Sequence, residues 1–441
     1  MLIIDTSSQA WRSSMKNGAK KLVRVIAVPL FIAALAQASL GYSVLTHQAI
    51  IDSLWKDSIE PLLIGRFPGA SEEQLREARA HAYGGAIIQD MGYYPFGSRF
   101  YTDLTHYVRS GDFIEAMIAE SRDLNEYAFA LGSLAHYAAD NIGHPLGTNR
   151  AVPLIYPKVR AKYGDEVTYA EHASSHIKTE FGFDVVQVAR GRYAPEAYHD
   201  FIGFKVAKPV LERAFFKTYS LELKDVFDNL DLALGTYRKA VSDIIPQMTR
   251  VAWEAKKDEI QKASPGITRE KFVYNLSRAD YEKEWGSEYK RPGFVSKTLA
   301  FFFRILPKVG PLKVFAFKVP TPEAEQRMME SFNATVENYR KMLAQAKAGA
   351  LDLPNRDFDT GRPTRAGEYR LADLAYAKLL EKLEARKFEN LSPELREDIL
   401  AFFSDLSAPI AVKKDKDDWR DTLRALNHLK SLQAQSTGAN R

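Results

Sequence analysis

Two segments of the chain place side chains that bind metal ions at intervals of four residues. The triplets are His136, Asp140 and His144 in the first segment, and His172, His176 and Glu180 in the second. An α-helix turns about 100° per residue, so the members of a triplet lie within about 80° of one another on one helix face. Imidazole nitrogens and carboxylate oxygens are the ligands of hydrolytic zinc, and carboxylates can bridge two ions. The spacing therefore indicates a zinc centre built from two helices.

A single pair of such residues on a helix is more often a surface contact than a metal site. Here two triplets occur in largely apolar segments of a chain with only nine histidines, eight of them between positions 47 and 199. Burying imidazoles and carboxylates without partners costs free energy, which favours the metal site. The chain has no cysteine, which excludes thiolate ligands and disulfides. His81 and His199 belong to no ligand spacing, and we expect ordinary hydrogen bonds for them.

The elements that position these side chains are predicted to be helices. Apolar residues recur at intervals of three and four over residues 120–139, 207–221 and 231–256. Thr321 and Ser392 each precede a proline and an acid, the order that opens a helix. Alternating strand patterns are nearly absent. The sequence thus predicts an all-α fold, with a helical bundle in the first half and an additional helical C-terminal region.

The N-terminus is predicted to be a cleaved secretory signal peptide covering residues 1–41. Lys20, Lys21 and Arg24 precede an apolar run at 25–35 that is too short to span a bilayer comfortably. Small residues permit cleavage after Ala38 or after Gly41. The alternatives are an interfacial helix or an uncleaved anchor. No later stretch is apolar and long enough to predict another membrane span, so we expect a secreted or periplasmic protein.

The overall charge excludes a general attraction to nucleic acid. The formal net charge is +5, and removing the basic N-terminal segment leaves the rest near +1. Residues 294–320 are apolar, aromatic and basic without an acid. This segment is either an interfacial element that contacts anionic lipid or a buried element that joins two helical regions. The predicted organisation is a signal peptide at 1–41, a zinc-binding helical domain at 42–260, a connecting segment at 261–320, a helical C-terminal region at 321–430 and a disordered tail at 431–441.

Five motifs occur in the order found in one known enzyme family. They are Tyr42 to His47, Gln89-Asp90 with Tyr94-Pro95, Asp103 to His106, His136-x-x-x-Asp140-x-x-x-His144, and His176 to Glu180. Over residues 42–188 the chain resembles the zinc-dependent phospholipase C family. That family includes bacterial phospholipases C, clostridial alpha-toxin and the N-terminal domain of glycosylphosphatidylinositol-specific phospholipase D, and it shares its helical fold with fungal single-strand nucleases. The resemblance implies an all-helical bundle with zinc ions at the base of a cleft.

The resemblance also implies a role for each motif residue. One zinc is bound by Asp90, His106, His136 and Asp140, a second by His144, His176 and Glu180, and a third by Asp140, His47 and the free N-terminus of the mature chain. The family usually has tryptophan at that N-terminus, and the nearest aromatic residue here is Tyr42. Cleavage after Gly41 exposes Tyr42, whereas cleavage after Ala38 leaves a three-residue extension. The expected cofactor is therefore two or three Zn²⁺ ions.

Two features depart from the bacterial phospholipases C. Three residues separate Asp140 from His144, where those enzymes commonly have five, and this spacing resembles the phospholipase D branch. The C-terminal half also lacks the strand pattern of the β-sandwich or β-propeller that relatives append. We expect residues 294–320 to be the lipid-contacting element if the chain has one.

The predicted activity is hydrolysis of a phospholipid or another phosphodiester, with Asp90 as general base for the attacking water. The alternatives are phospholipase D-type cleavage, a nuclease or nucleotidase activity, and a non-catalytic zinc-binding envelope protein. Glu171 and Asp103 are interpreted as solvated acids or as acceptors for ligand imidazoles. His172 is interpreted as a further ligand, as a substrate contact or, preferably, as a residue that supports the ligands from outside. Five aromatic residues are expected either to wall the cleft or to pack in the core: Tyr93, Tyr94, Phe96, Phe100 and Tyr101.

Overall fold

The computed structural model describes residues 44–189, 204–241, 258 and 316–438. Within these ranges the chain is helical and contains no strand, apart from one isolated bridge between Arg356 and Pro363. The predicted all-α fold is confirmed. None of the helices in this part of the chain combines the length and apolar character that a membrane crossing requires. The predicted signal peptide, Tyr42, His199 and most of the segment 261–320 lie outside the described residues.

The first part of the chain forms a bundle around one long helix. Its helices are α1 (Val44–Leu54), α2 (Glu60–Arg66), α3 (Glu72–Gly85), α4 (Arg99–Tyr107), α5 (Ser110–Ala119), α6 (Leu124–Gly143), α7 (Asn149–Ile155), α8 (Pro157–Tyr163), α9 (Tyr169–Ala189), α10 (Lys208–Tyr219) and α11 (Leu230–Lys239). Helix α6 is buried along most of its length and packs most extensively against α3. Gly85 and Gly132 permit this approach, because a Cβ on either would lie about 2 Å from a backbone oxygen of the facing helix. Helix α6 is therefore the central, buried helix of the bundle.

The C-terminal region adds four helices. They are α12 (Pro322–Ala348), α13 (Arg370–Ala385), α14 (Pro393–Phe402) and α15 (Lys416–Gly438). Thr321 and Ser392 accept the N-cap hydrogen bonds of α12 and α14, as the sequence predicts. Helix α15 extends to Gly438, whereas the sequence predicts a disordered tail from residue 431.

The C-terminal region packs directly on the first bundle. Helix α12 lies along α6, and Tyr339 of α12 donates to the carbonyl of Leu131 at 2.8 Å. The loop between α12 and α13 also contacts α6, where Tyr137 donates to the carbonyl of Pro354 at 2.7 Å. Buried apolar residues from both parts form one continuous core. The two parts are thus joined by burial around α6, the helix that carries two predicted ligands.

A π-helical turn at His144–Thr148 connects α6 to α7. Pro145 lies in this turn and has no backbone N–H, so the regular α-helical hydrogen-bond ladder is interrupted there. Gly147 lets α12 approach closely, because a Cβ at this position would come within 2.4 Å of the Ser331 hydroxyl. The turn places His144 at the junction of α6, α7 and α12.

Candidate metal centre

Three groups of buried side chains are close enough to bind metal ions. In each group the potential ligand atoms lie within 4.8 Å of one another. The groups are Asp90, His106 and His136 (group 1), His144, His176 and Glu180 (group 2), and His47, His136 and Asp140 (group 3). Every predicted ligand that the structure describes belongs to one of them, and Tyr42 lies outside the described residues.

Asp140 is the carboxylate around which these groups assemble. Its Oδ2 lies 3.2 Å from His136 Nε2 and 3.5 Å from His106 Nε2. Its Oδ1 lies 3.5 Å from His144 Nε2 and 3.7 Å from His47 Nε2. The spacing of four residues on α6 has placed His136, Asp140 and His144 on one face, as the sequence predicts. One carboxylate thus faces imidazoles from three helices and the π turn.

Hydrogen bonds to backbone carbonyls determine which nitrogen of two imidazoles is protonated. His136 Nδ1 donates to the carbonyl of Ala86 at 3.0 Å, and His106 Nδ1 donates to the carbonyl of Thr102 at 2.9 Å. A carbonyl can only accept, so in the neutral rings both Nε2 atoms carry lone pairs. These two Nε2 atoms lie 3.4 Å apart. Two lone pairs that face each other at this distance repel, and a shared cation removes that repulsion.

His176 in group 2 is oriented in the same way through an amide. Its Nε2 donates to Asn149 Oδ1 at 2.9 Å. The Asn149 Nδ2 in turn donates to the carbonyl of Asp359 at 2.7 Å, which fixes the orientation of the amide. The free lone pair of His176 Nδ1 therefore faces Glu180 Oε1, which lies 3.0 Å away. A lone pair beside a carboxylate oxygen indicates a cation between them.

The burial of these acids supports the same conclusion. The side chains of Asp140 and Glu180 have no exposed surface. Among the described residues, none of their four carboxylate oxygens has a hydrogen bond of acceptable geometry. Buried carboxylates without hydrogen bonds are costly unless a cation neutralises them. The donor set of imidazoles and carboxylates is the set that zinc prefers, so the residues present fit zinc ions.

The electrostatics of the metal-free centre show what a cation replaces. Burial and the charge of Asp140 raise the pKa of Glu180 well above its ordinary value. Burial, together with the neighbouring imidazoles, holds the pKa of His47 and His176 well below the ordinary value, so these rings are neutral. Burial also opposes protonation of His106, but Asp140 and Asp90 outweigh it and raise its pKa to about 10. Without metal, a proton on His106 partly neutralises the carboxylates.

Asp90 lies in a short 3₁₀ segment, Ile88–Tyr93, against the N-terminal half of α4. The Gln89 carbonyl accepts the Thr102 hydroxyl at 2.7 Å, and the Gln89 amide donates to the carbonyl of Ser133 at 3.0 Å. These bonds tie the segment to α4 and α6. They place Asp90 Oδ1 3.3 Å from His106 Nε2.

His47 enters the centre from the first turn of α1. Asp184 of α9 holds this end of the helix, since its carboxylate accepts the Leu45 N–H at 3.0 Å and the Thr46 hydroxyl at 2.7 Å. The ring of His47 stacks on His136 with centroids 4.6 Å apart. The start of α1 is therefore fixed to the same helix that carries His176 and Glu180.

The prediction that His172 shares a helix face with His176 is wrong. The backbone at His172 is not helical, with φ −151° and ψ 68°, and a kink separates it from the rest of α9. The His172 Nδ1 instead accepts the N–H of Ser175 at 3.3 Å, which caps the helical turns that follow. Glu171 is exposed and accepts from Thr168, so it is a solvated acid. His81 donates to the carbonyl of Glu77, as expected for a histidine outside the ligand set.

The aromatic residues between two ligand motifs divide between the site and the core. The Tyr93 ring lies 6.3 Å from the His106 ring, beside the centre. Tyr101 packs on Phe215, and Tyr94 contacts Tyr237, so both are core residues. Phe96 is 59% exposed. Asp103 is not in any of the three groups, and burial raises its pKa to about 6.

Three residues at the centre were not predicted from the sequence. Asn149 orients His176, and Phe358 packs its ring 5.0 Å from that of His106 and donates its N–H to the His106 carbonyl. Asp359 brings a buried carboxylate Oδ1 to 3.9 Å from His144 Nδ1. Phe358 and Asp359 come from the loop between α12 and α13, and no local spacing connects that loop with the ligands. For Asn149, its position five residues after His144 was the one feature of the sequence that could have indicated a role at the centre.

Comparison with known proteins agrees with this geometry. The family model described as zinc dependent phospholipase C matches residues 46–229. The matched region contains every member of the three groups and ends before the C-terminal helical region. No curated protein and no solved structure matches the chain.

Proposed function

Because residues 46–229 match the family model of zinc dependent phospholipase C, we propose that this protein is an exported zinc-dependent phosphodiesterase. Its proposed reaction is phospholipase C-type hydrolysis, which releases diacylglycerol and a phosphorylated headgroup. The family supports a phospholipid substrate, and the buried imidazole and carboxylate groups support the metal requirement. Phospholipase D-type cleavage and nucleic acid hydrolysis are the competing reactions on such a scaffold.

The observation that carries the proposal is the pair of facing imidazoles in group 1. The Nε2 atoms of His106 and His136 lie 3.4 Å apart, and both rings donate their Nδ1–H to backbone carbonyls. Asp140 Oδ2 lies within 3.5 Å of both nitrogens. Two lone pairs and a carboxylate that converge on one point are arranged for a divalent cation, and no arrangement of neutral-ring protons satisfies all three.

A phosphodiester is anionic and repels hydroxide. The site must therefore neutralise the charge of the phosphate and also supply hydroxide at neutral pH. Bound zinc ions supply charge neutralisation of the phosphate, a lowered pKa for water and stabilisation of the departing alkoxide. The protein's own contribution is to hold the imidazoles in one tautomer and to bury the carboxylates away from water. Asp90 is the proposed general base, which accepts the proton of the attacking water. The bond from phosphorus to the diacylglycerol oxygen breaks, and that oxygen takes up a proton.

We propose two or three zinc ions. Groups 1 and 2 each offer three side-chain ligands, and Asp140 Oδ2 is close enough to be a fourth ligand at group 1. Group 2 therefore keeps an open position for water or substrate. Group 3 shares His136 with group 1, and its His47 lies close to the start of the described chain. A third ion there depends on the additional ligands that a mature N-terminus at Tyr42 supplies.

The test is product analysis with the zinc-loaded mature protein. Vesicles of phosphatidylcholine or phosphatidylinositol and a single-stranded DNA are offered as separate substrates. Diacylglycerol release that disappears in His136→Ala supports the proposal. Phosphatidic acid as the product indicates phospholipase D-type cleavage, and nucleotide release indicates a nuclease. A fully zinc-loaded protein that hydrolyses none of these substrates supports a structural zinc centre and contradicts the proposal. N-terminal sequencing of the mature protein shows in parallel whether Tyr42 is the first residue.

A further inference from the structure

The region outside the matched domain contributes a buried carboxylate to the metal centre. Asp359 lies in the loop between α12 and α13, and only 3% of its surface is exposed. We propose that Asp359 is a positioning residue for group 2, so that the zinc centre is completed by the C-terminal region. The proposal rests on zinc binding by the centre and is independent of the substrate.

The first link runs through the backbone of Asp359. Its carbonyl accepts Asn149 Nδ2 at 2.7 Å, and Asn149 Oδ1 accepts His176 Nε2 at 2.9 Å. This chain holds the proton of His176 on Nε2 and directs its Nδ1 lone pair toward Glu180. Hydrogen bonds of this type fix the tautomer and ring orientation of metal-binding histidines. The C-terminal loop therefore orients a predicted ligand of the matched domain.

The second link is the carboxylate itself. Its Oδ2 accepts the hydroxyl of Tyr107 at 2.9 Å and also the hydroxyl of Tyr369. With Oδ2 held by two phenols, Oδ1 faces His144 Nδ1 at 3.9 Å. The same His144 nitrogen lies 4.0 Å from Glu180 Oε1. Asp359 thus adds negative charge on one side of group 2 while belonging to none of the three groups, which is the placement of a positioning residue.

The loop that carries Asp359 is built against the bundle. Asp357 accepts the N–H of Thr360, which closes a tight turn around Asp359. Gly361 ends this turn with φ +67°, and a Cβ there would lie 2.4 Å from the carbonyl of Asn141 on α6. The Phe358 N–H donates to the carbonyl of His106 at 3.2 Å. Turn, glycine contact and backbone bond together fix the position of Asp359 relative to α4 and α6.

Tyr369 extends the network to the helix that carries two group 2 ligands. Its hydroxyl accepts the N–H of Ala170 at 3.2 Å, near the start of α9, and donates to Asp359 Oδ2. The Tyr169 ring, beside Ala170, packs 5.9 Å from the His176 ring. The C-terminal loop therefore connects α4, α7 and α9 at the point where group 2 forms.

The test compares zinc affinity of full-length mature variants by competition with a chromogenic chelator, with zinc content measured by mass spectrometry. Asp359→Asn keeps the shape of the side chain and removes its charge. We expect it to weaken one zinc site by about 10- to 100-fold, the range for losing an outer partner of a ligand, and to leave the other sites unchanged. The matched control is Asp373→Asn. Asp373 is also buried, lies in the C-terminal region and accepts two hydrogen bonds, from Gly367 and Ala411.

A double-mutant comparison with His176→Ala assigns the effect to group 2. If Asp359 acts on that group, Asp359→Asn changes nothing further once His176 is removed. Wild-type affinity at every site in Asp359→Asn, an effect equal to that of Asp373→Asn, or a full additional loss in the His176→Ala background would each overturn the proposal.

A second variant and the choice of readout cover the cases in which Asp359→Asn does not fold or the protein has no phospholipase activity. If Asp359→Asn does not fold, as judged by circular dichroism, Tyr107→Phe replaces it, because that change removes one hydroxyl from Oδ2 and leaves the charge. We then expect a smaller loss at the same zinc site, and an unchanged affinity there contradicts the proposal. Because the readout is zinc binding, a protein without phospholipase activity still answers the question, so failure of the proposed function is distinguishable from failure of this inference.

Discussion

Replacing Asp140 by asparagine is expected to weaken zinc binding at group 1, and also at group 3 if a third ion is bound there. Asp140 belongs to group 3, and its Oδ2 also lies 3.2 Å and 3.5 Å from the two imidazole nitrogens of group 1. Asparagine keeps the size of the side chain but removes the negative charge that faces these imidazoles. Group 2 keeps its own carboxylate, Glu180. The variant should therefore bind zinc normally at group 2 and more weakly at group 1, and at group 3 where a third ion is present.

The expected loss of stability follows from the linkage between binding and folding. Loss of a direct ligand should weaken a site by at least about 100-fold, which in excess zinc removes about 2.7 kcal/mol of stabilisation per site. In a three-ion centre two sites are affected, which gives about 5 kcal/mol in total. Unfolding entropy is about 2.1 cal/mol/K per residue, or about 0.6 kcal/mol/K for the roughly 300 residues that the structure describes. The zinc-dependent part of Tm should therefore fall by about 8 °C.

The assay measures Tm by calorimetry with excess zinc and again with a chelator, for wild type, Asp140→Asn and the control Asp373→Asn. Subtracting the Tm measured with chelator from the Tm measured with zinc removes the effect of the substitution on the metal-free fold. Zinc content is measured on the same samples. If Asp140→Asn keeps the wild-type zinc content and the wild-type zinc-dependent rise in Tm, Asp140 does not bridge the groups and the assignment is refuted.

Three other perturbations test separate parts of the structure. Phe358→Ala should cost about 3–5 kcal/mol in urea unfolding, because it empties a fully buried ring position against His106; a loss below about 1 kcal/mol would show that the loop does not pack there. Asp184→Ala should cost about 1–3 kcal/mol and reduce zinc content only at the His47 group, because the buried N–H of Leu45 loses its acceptor; unchanged zinc content contradicts this role. Zinc affinity should rise with pH between 6 and 9, because the pKa of metal-free His106 is about 10 and zinc must displace that proton; an affinity independent of pH would show that His106 is not a ligand.

The part of the centre that lies on one regular helix could be predicted from the sequence. His136 and Asp140 lie four residues apart on α6, and the helical backbone continues to His144 at the start of the π-helical turn, so the three side chains share one face. The same spacing gave a wrong prediction at His172. A residue that caps a helix and a residue inside the helix cannot be distinguished by their spacing in the sequence. The backbone at His172 is not helical, and the His172 side chain caps the helix by accepting the N–H of Ser175. Spacing therefore predicts ligands only where the helix is continuous.

The rest of the metal centre depends on contacts between segments that lie far apart in the sequence. Asp359 meets His144 only because a loop beyond α12 folds back across α4 and α6, held by Tyr107 and by the turn at Gly361. No periodicity within the loop indicates this contact. The pairing of His106 with His136 was implied by resemblance to a family, and the structure supplied the carbonyl bonds that set their tautomers.

The most direct test of the zinc centre is anomalous X-ray scattering at the zinc edge from crystals of the zinc-loaded mature protein. Zinc binding at groups 1 and 2 predicts one peak about 2.0–2.1 Å from the Nε2 atoms of both His106 and His136, and another at the same distance from His176 Nδ1. Peaks at these two positions would establish the centre. Crystals grown with zinc that show no peak at either position would contradict it.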